Sequence, residues 1–370
     1  MEEPHIEEEH NQNKLIDVAP ALISVHPSHK AIAVTVGSDL RVFNLIDNSP
    51  VTLVDESNES FHKDSVRAIR YSASGKLFVS TGDDKLVKIW SAESWRCLNT
   101  ICSEKRVTAV AISHDDSYVC YADKFGVVWV VELDGITKKG VSLLSHYCSI
   151  ITSLEFSPDG RYILSADRDF KIRVTVFPEE PLQGAHEIQS FCLGHTELDI
   201  WNLMKPSKRK SQLLIYALSQ ILLLQRWLFK GNFQGILLLS CDLSAHTLSI
   251  TKVIQIPGES FIPTSISVST STLWMVSGAS SGSNQPGYSR VRVVSCMDSE
   301  KSAILEDEQI PGGTKLLEKL QGKVSIEESV MIAASEAVRT AMSSLLMKKQ
   351  YSEEKRELRK RSRNDKKTTN

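Results

Sequence analysis

Two short segments carry the side chains best suited to chemistry between molecules. Ala122-Asp123-Lys124-Phe125-Gly126 and, about 44 residues later, Ala166-Asp167-Arg168-Asp169 each set an acid beside a base. Acid–base pairs at the same turn of two repeats would put Asp123, Lys124, Asp167 and Arg168 on one rim. Lys171 and Arg173 follow the second segment. A guanidinium at Arg173 makes a bidentate contact to a carboxylate of another molecule, or it covers the edge of its own sheet. The charges are either recognition groups or solvated turn residues, and both readings stand at this point. Covalent chemistry has little support. The chain shows no paired histidines for a metal, no Ser-His-Asp arrangement and no glycine-rich loop between a strand and a helix able to cradle a nucleotide. Asp84 and Asp169 sit where a tight turn needs an acid to cap backbone N–H groups.

The elements that must position these charges are strands in a repeat. One pattern recurs four times at a spacing of about 40 to 45 residues. Each copy has a turn of small or acidic residues, a hydrophobic strand, a second acid-bearing turn, and a strand ending in a bulky apolar residue. The clearest copies run from Ser113-His114-Asp115-Asp116-Ser117 to Trp129 and from Ser157-Pro158-Asp159-Gly160 to Val174. The second copy runs from Ser72-Ala73-Ser74-Gly75 to Trp90, and a weaker first copy from His26-Pro27-Ser28 to Phe43. Four short strands at this period are the signature of a β-propeller. Seven blades of about 42 residues need roughly 290 residues, about the length of residues 15–298.

Histidines refine that reading. His62 precedes the second copy, and His146 and Gly194-His195 hold equivalent places later. In WD repeats such a histidine, a turn aspartate, a strand serine and a tryptophan bond to one another, because buried polar groups must be paired. Here His62, Ser80, Asp84 and Trp90 have the spacing to form that network. The fold expected is an all-β WD-repeat propeller of seven blades, irregular around the fifth and sixth, with a helical and basic C-terminal tail.

Composition sets the boundaries. The net charge is −2, but acids crowd the first residues and bases the last twenty. Residues 1–14 read as a disordered acidic arm, 15–298 as the propeller, and 299–370 as the C-terminal helix and tail. A helix is expected to open at Ser325, where a capping box precedes an apolar face at helical spacing. Residues 47–63 read as a long loop between blades. Within 198–250 the repeat pattern lapses. Strands resume at Gly235 and Thr272, and a last one is expected near Val291. The apolar run 213–229 is short of a membrane span and holds Gln220, Gln225 and Arg226, which are costly in lipid; no membrane association is expected. Seven cysteines with no Cys-x-x-Cys pair fit free thiols in a reducing compartment. No signal peptide opens the chain, so secretion is not expected.

The residues from Ser157 to Asp169, then Lys171-Ile172-Arg173-Val174 and Phe191-Cys192-Leu193-Gly194-His195-Thr196-Glu197, closely resemble the WD-repeat non-catalytic subunit of tRNA (guanine-N7-)-methyltransferase. Ala122-Asp123-Lys124-Phe125-Gly126 resembles it too, and the likeness covers about residues 20–197. The resemblance implies a subunit that is not itself an enzyme and holds no cofactor. It would bind and stabilise a catalytic subunit carrying S-adenosylmethionine, help place tRNA for methylation of a variable-loop guanine at N7, and reside in the nucleus. It also implies that Asp123, Lys124, Asp167, Arg168, Lys171 and Arg173 bind the partner. Phe170 stands where the family usually has a glutamate, which removes one expected charge pair. The tail bases Lys355, Arg356, Arg359, Lys360, Arg361 and Arg363 either touch RNA phosphates, act as a nuclear-import signal, or are simply solvated. A generic WD-repeat adaptor, such as a ubiquitin-ligase substrate receptor or chromatin adaptor, is the alternative, and only the two charged turn motifs argue against it.

Overall fold

The computed structural model describes residues 19–55, 61–133, 139–146, 149–157, 159–168, 171–185, 187–193, 235–242, 247–255, 263–269, 272–280, 288–295 and 303–321. They form a β-propeller fold in which four sheets are four-stranded antiparallel blades, one is a two-stranded hairpin and one has five strands. Blade 1 is β2 (Leu22–Val25), β3 (Ala31–Val36), β4 (Asp39–Asn44) and β5 (Ser49–Val51). Blade 2 is β6 (Val66–Tyr71), β7 (Leu77–Gly82), β8 (Leu86–Ser91) and β9 (Cys97–Cys102). Blade 3 is β10 (Val107–Ile112), β11 (Tyr118–Asp123), β12 (Val127–Glu132) and β13 (Val141–Ser145). Blade 4 is β14 (Ile151–Phe156), β15 (Tyr162–Asp167), β16 (Lys171–Val176) and β17 (Ile188–Leu193). The four sequence repeats are these four blades.

The second strand of each blade reads as nearly unbroken apolar sequence because both of its faces are covered by neighbouring blades. All six residues of β3 are buried, as are five of six in β7, β11 and β15. The cores accordingly lie between blades. Val79, Val87 and Ile89 of blade 2 pack on Val110, Val119 and Val131 of blade 3. Ala109, Val128 and Val130 of blade 3 pack on Leu154 and Ile163 of blade 4.

The turns between first and second strands share one geometry. Ser72, Ser113 and Ser157 each accept the backbone N–H five residues on, at 3.2, 2.9 and 3.0 Å. The turn needs a positive φ, supplied by Gly75 (76°), Asp116 (59°) and Gly160 (70°). Glycine adopts that region without steric cost, and aspartate tolerates it. At Gly75 the fold needs glycine twice over, since an added Cβ would stand 2.5 Å from the His26 ring, whose Nε2 lies 2.9 Å from the Gly75 carbonyl oxygen.

The sheet that packs beside blade 1 draws on both ends of the described chain. β18 (Gly235–Asp242) and β19 (Thr247–Gln255) pair as a hairpin. The closing sheet holds β20 (Ser265–Ser269), β21 (Thr272–Ser280), β22 (Tyr288–Ser295) and β23 (Ala303–Ile304). β1 (Ala19–Pro20) adds to β21 beyond the end of β20, pairing Ala19 with Ser280. The N-terminal strand thus completes a sheet made from sequence more than 240 residues away, and the Thr264 hydroxyl donates to the Ala21 carbonyl at 2.6 Å with |i−j| = 243. Helix α1 (Gly313–Gln321) caps this seam, burying Leu316, Leu317 and Leu320 against Phe43, Val291 and Val293.

Three boundaries differ from the sequence reading. The loop expected over 47–63 contains β5, a short edge strand that admits Pro50 because an edge has an unpaired side. The propeller does not end at 298, since β23 pairs with β22 through Ala303 and Ile304. The C-terminal tail is helical as expected, but the described helix, α1, lies before Ser325. The strands expected near Gly235, Thr272 and Val291 are β18, β21 and β22. The helix expected from Ser325, the basic tail, the acidic arm 1–14, the apolar run 213–229 and His195 lie outside the described residues. Among those described, no helix is long and apolar enough to cross a membrane.

Candidate partner-binding surface

On one face of the propeller, the turn between the second and third strands of a blade meets the loop entering that blade. Each turn is strapped to its loop by a backbone bond: Asp83 N–H to Ser65 at 2.9 Å, Lys124 N–H to Arg106 at 3.0 Å, Arg168 N–H to Ile150 at 2.8 Å. This face carries the turn residues Asp84, Asp123, Lys124, Asp167 and Arg168.

Blades 2 and 4 fasten the turn with histidine. His62 Nδ1 lies 2.7 Å from an Asp84 carboxylate oxygen, and His62 Nε2 lies 2.8 Å from Ser80 Oγ. The Trp90 indole donates to the same Ser80 oxygen at 2.9 Å. The network expected from spacing is therefore present in full. In blade 4, His146 Nδ1 lies 2.9 Å from Asp167 and Nε2 lies 2.7 Å from Ser165 Oγ. Burial holds the His146 pKa below 6.5; the Asp167 bond opposes this, and Arg173 and Lys171 act with burial. The neutral ring donates through Nδ1 to the carboxylate and accepts the Ser165 hydroxyl proton at Nε2.

Blade 3 has no such histidine. Asp123 accepts the Phe125 and Val127 N–H groups at 2.8 and 3.2 Å and the Trp129 indole at 3.0 Å.

These bonds correct part of the site reading. Asp123 and Asp167 are not rim charges. They are 3% and 6% exposed, and their oxygens bind their own turns and locks. What reaches the surface is cationic. Lys124 is exposed, and Arg168, Lys171 and Arg173 are half-buried. Arg173 donates from Nη1 to the Ser145 carbonyl at 2.7 Å, and its guanidinium lies 5.5 Å from the Phe191 ring centroid. Of the two readings of Arg173, these contacts are those of the second: its guanidinium lies over the edge strand of its own blade. The Nε atoms of Arg168 and Arg173 are buried without a hydrogen-bond partner among the described residues. Asp169 and Phe170 lie outside the described residues, as do Lys355, Arg356, Arg359, Lys360, Arg361 and Arg363.

Sequence reasoning gave no role to Lys105 and Phe125. Phe125 is 55% exposed, with the ammonium groups of Lys105 and Lys124 at 5.6 and 5.4 Å from its ring centroid. The available signal was a large apolar residue inside a charged turn.

Comparison with known proteins follows the same lines. The family described as the tRNA methyltransferase TRM82 WD40 domain matches residues 7–140 and 136–355. The tRNA (guanine-N(7)-)-methyltransferase non-catalytic subunit wdr4 of Danio rerio is 37% identical over 160 residues, covering 43% of this chain and 37% of that protein. Its Mus musculus counterpart, WDR4, is 34% identical over 199 residues, covering 53% and 43%. The Homo sapiens counterpart is 38% identical over 136 residues, covering 36% and 31%. The chain spans less than half the length of each of these relatives.

Proposed function

This chain belongs to the tRNA methyltransferase TRM82 WD40 domain family, and from that premise we propose that it is the non-catalytic subunit of a tRNA (guanine-N7-)-methyltransferase. In this reading a separate catalytic subunit binds S-adenosylmethionine and performs the methyl transfer in the tRNA variable loop. The propeller contributes a rigid platform that binds and stabilises that subunit, and tRNA reaches it through the complex. The nucleus is the proposed location, with the basic tail as the import signal. The names of the relatives favour this reading over a generic adaptor.

The observation that carries it is the cationic rim of blades 3 and 4, with Arg173 at its centre. The Ser145 carbonyl and the Phe191 ring hold the guanidinium in one pose before any partner arrives. Such preorganisation lowers the entropic cost of binding a carboxylate. A charged rim of this kind sets specificity and association rate.

The test is co-expression with the catalytic subunit, followed by an assay of methyl transfer from S-adenosylmethionine to tRNA. The pair is expected to co-purify and methylate guanine N7, and Arg173→Glu is expected to break both. A soluble, folded chain that forms no pair would sink the proposal.

A further inference from the structure

Resting on the subunit reading above, we propose that Phe125 is the aromatic anchor of the interface, seated in an apolar pocket of the catalytic subunit whose rim carries acids that pair with Lys105 and Lys124. No hydrogen bond of this turn uses the Phe125 side chain, whose ring is approached by the Lys105 and Lys124 ammonium groups. The turn is held through the Phe125 backbone N–H, which Asp123 accepts at 2.8 Å, and by the backbone bond from Gly126 to Asp123 at 3.0 Å. Neither bond involves the ring. Yet a large apolar group stands 55% exposed at the tip of the turn.

Its surroundings define what it fits. Two ammonium groups lie within 5.6 Å of the ring centroid. Of the nearby acids, Asp123 binds its own turn, Asp83 is paired with Arg67 at 2.6 Å, and Glu104 is exposed beside Lys105. The exposed chemistry is a phenyl ring between cations, whose complement is an apolar pocket rimmed by carboxylates. Interface anchors are typically rigid aromatics in desolvated pockets ringed by weaker contacts. A nucleobase could not stack on the side where an ammonium group lies without displacing it, whereas an acid-rimmed pocket takes the ring and both ammonium groups in place. The observations therefore favour a protein partner over RNA at this point.

The experiment titrates the full-length chain and its variants with the purified catalytic subunit, and separately with tRNA alone. Phe125→Ala is expected to weaken subunit binding by about 30-fold or more, the range of an interface hot spot, with the unfolding midpoint unchanged. Reversing both Lys105 and Lys124 to Glu is expected to weaken it as well and to flatten its salt dependence. Wild-type binding by Phe125→Ala, while Arg173→Glu abolishes the complex, would overturn the anchor and leave the subunit reading standing. Intact subunit binding with weakened tRNA binding would overturn it in favour of RNA. If even the unaltered chain fails to bind the subunit, the parent reading falls and the anchor with it.

Discussion

Blades 2 and 3 solve one problem in two ways. In each, the first residue of the third strand has a backbone N–H that needs an acceptor. In blade 2 the acceptor is Asp84, two residues earlier, at 3.1 Å to the Leu86 nitrogen. In blade 3 it is Asp123, four residues earlier, at 3.2 Å to Val127, and blade 4 uses Asp167 in the same place, at 3.1 Å to Lys171. Strand register makes Gly82, Asp123 and Asp167 equivalent, because they pair with Val66, Val107 and Ile151. The position that holds the lock acid in blade 2 is therefore free in blade 3, and Phe125 occupies it. Moving the structural acid back by two residues releases the tip of the turn for contact with another molecule.

The comparison is broken most directly by removing the two acids in turn. Asp167→Ala leaves the buried His146 Nδ1–H and the Lys171 N–H without their acceptor. Its expected cost is about 3 kcal/mol, the scale of an orphaned buried polar network. Asp123→Ala removes three bonds, but two of the donors are N–H groups of the turn that carries the exposed Lys124 and Phe125, where water can replace the carboxylate. Its expected cost is about 1.5 kcal/mol. Denaturant midpoints at constant m-value measure both. An equal or reversed order would mean that histidine adds nothing to the lock. Trp129→Phe is expected to cost less again, about 1 kcal/mol, since it deletes one hydrogen bond and keeps most of the packing. A null result there would reduce the indole bond at 3.0 Å to a surface accessory.

The same comparison shows where the sequence was legible. The blades could be read because each repeat carries its own turn signals and apolar strands. The His62–Ser80–Asp84–Trp90 lock could be read because all four residues occupy familiar places. Asp123 and Asp167 were misread because they align with Gly82, which has no lock role, and because each adjoins a base, as surface charges do. Only the three-dimensional turn shows that an acid at that place reaches inward to the same N–H. β5 escaped notice because Ser49-Pro50-Val51 has little strand character of its own. The β1–β21 pairing joins residues too far apart in sequence for any local pattern to mark. α1 opens at Gly313 directly after Gly312, and both are at positive φ (55° and 92°); such residues suggest a loop, and the helix is specified by the groove that receives its leucines. Phe125 was visible in the sequence, but its exposure was not.

Acid sharpens the contrast between histidine-locked and histidine-free blades, with the smallest expected effect. Burial, opposed by the Asp167 bond, lowers the His146 pKa below 6.5, with Arg173 and Lys171 acting in the same direction as burial. His26 is lowered as well, first by burial, with its bond to Gly75 opposing. Above pH 6.5 both rings are neutral in the folded and unfolded chain, and they contribute no slope. Below that value the unfolded chain binds protons that the folded chain refuses, so stability falls as pH falls until the folded-state values are passed. Unfolding midpoints measured between about pH 7.5 and 5 should therefore decline on the acid side. His146→Gln should make that decline shallower, because one of the two refusing sites is gone. Trp129→Phe should leave the slope unchanged, because the lock of blade 3 contains no histidine. An unaltered slope in His146→Gln would show that the blade 4 histidine takes up its proton as readily folded as unfolded, so that its ring binds Asp167 as a cation only below about pH 6.5.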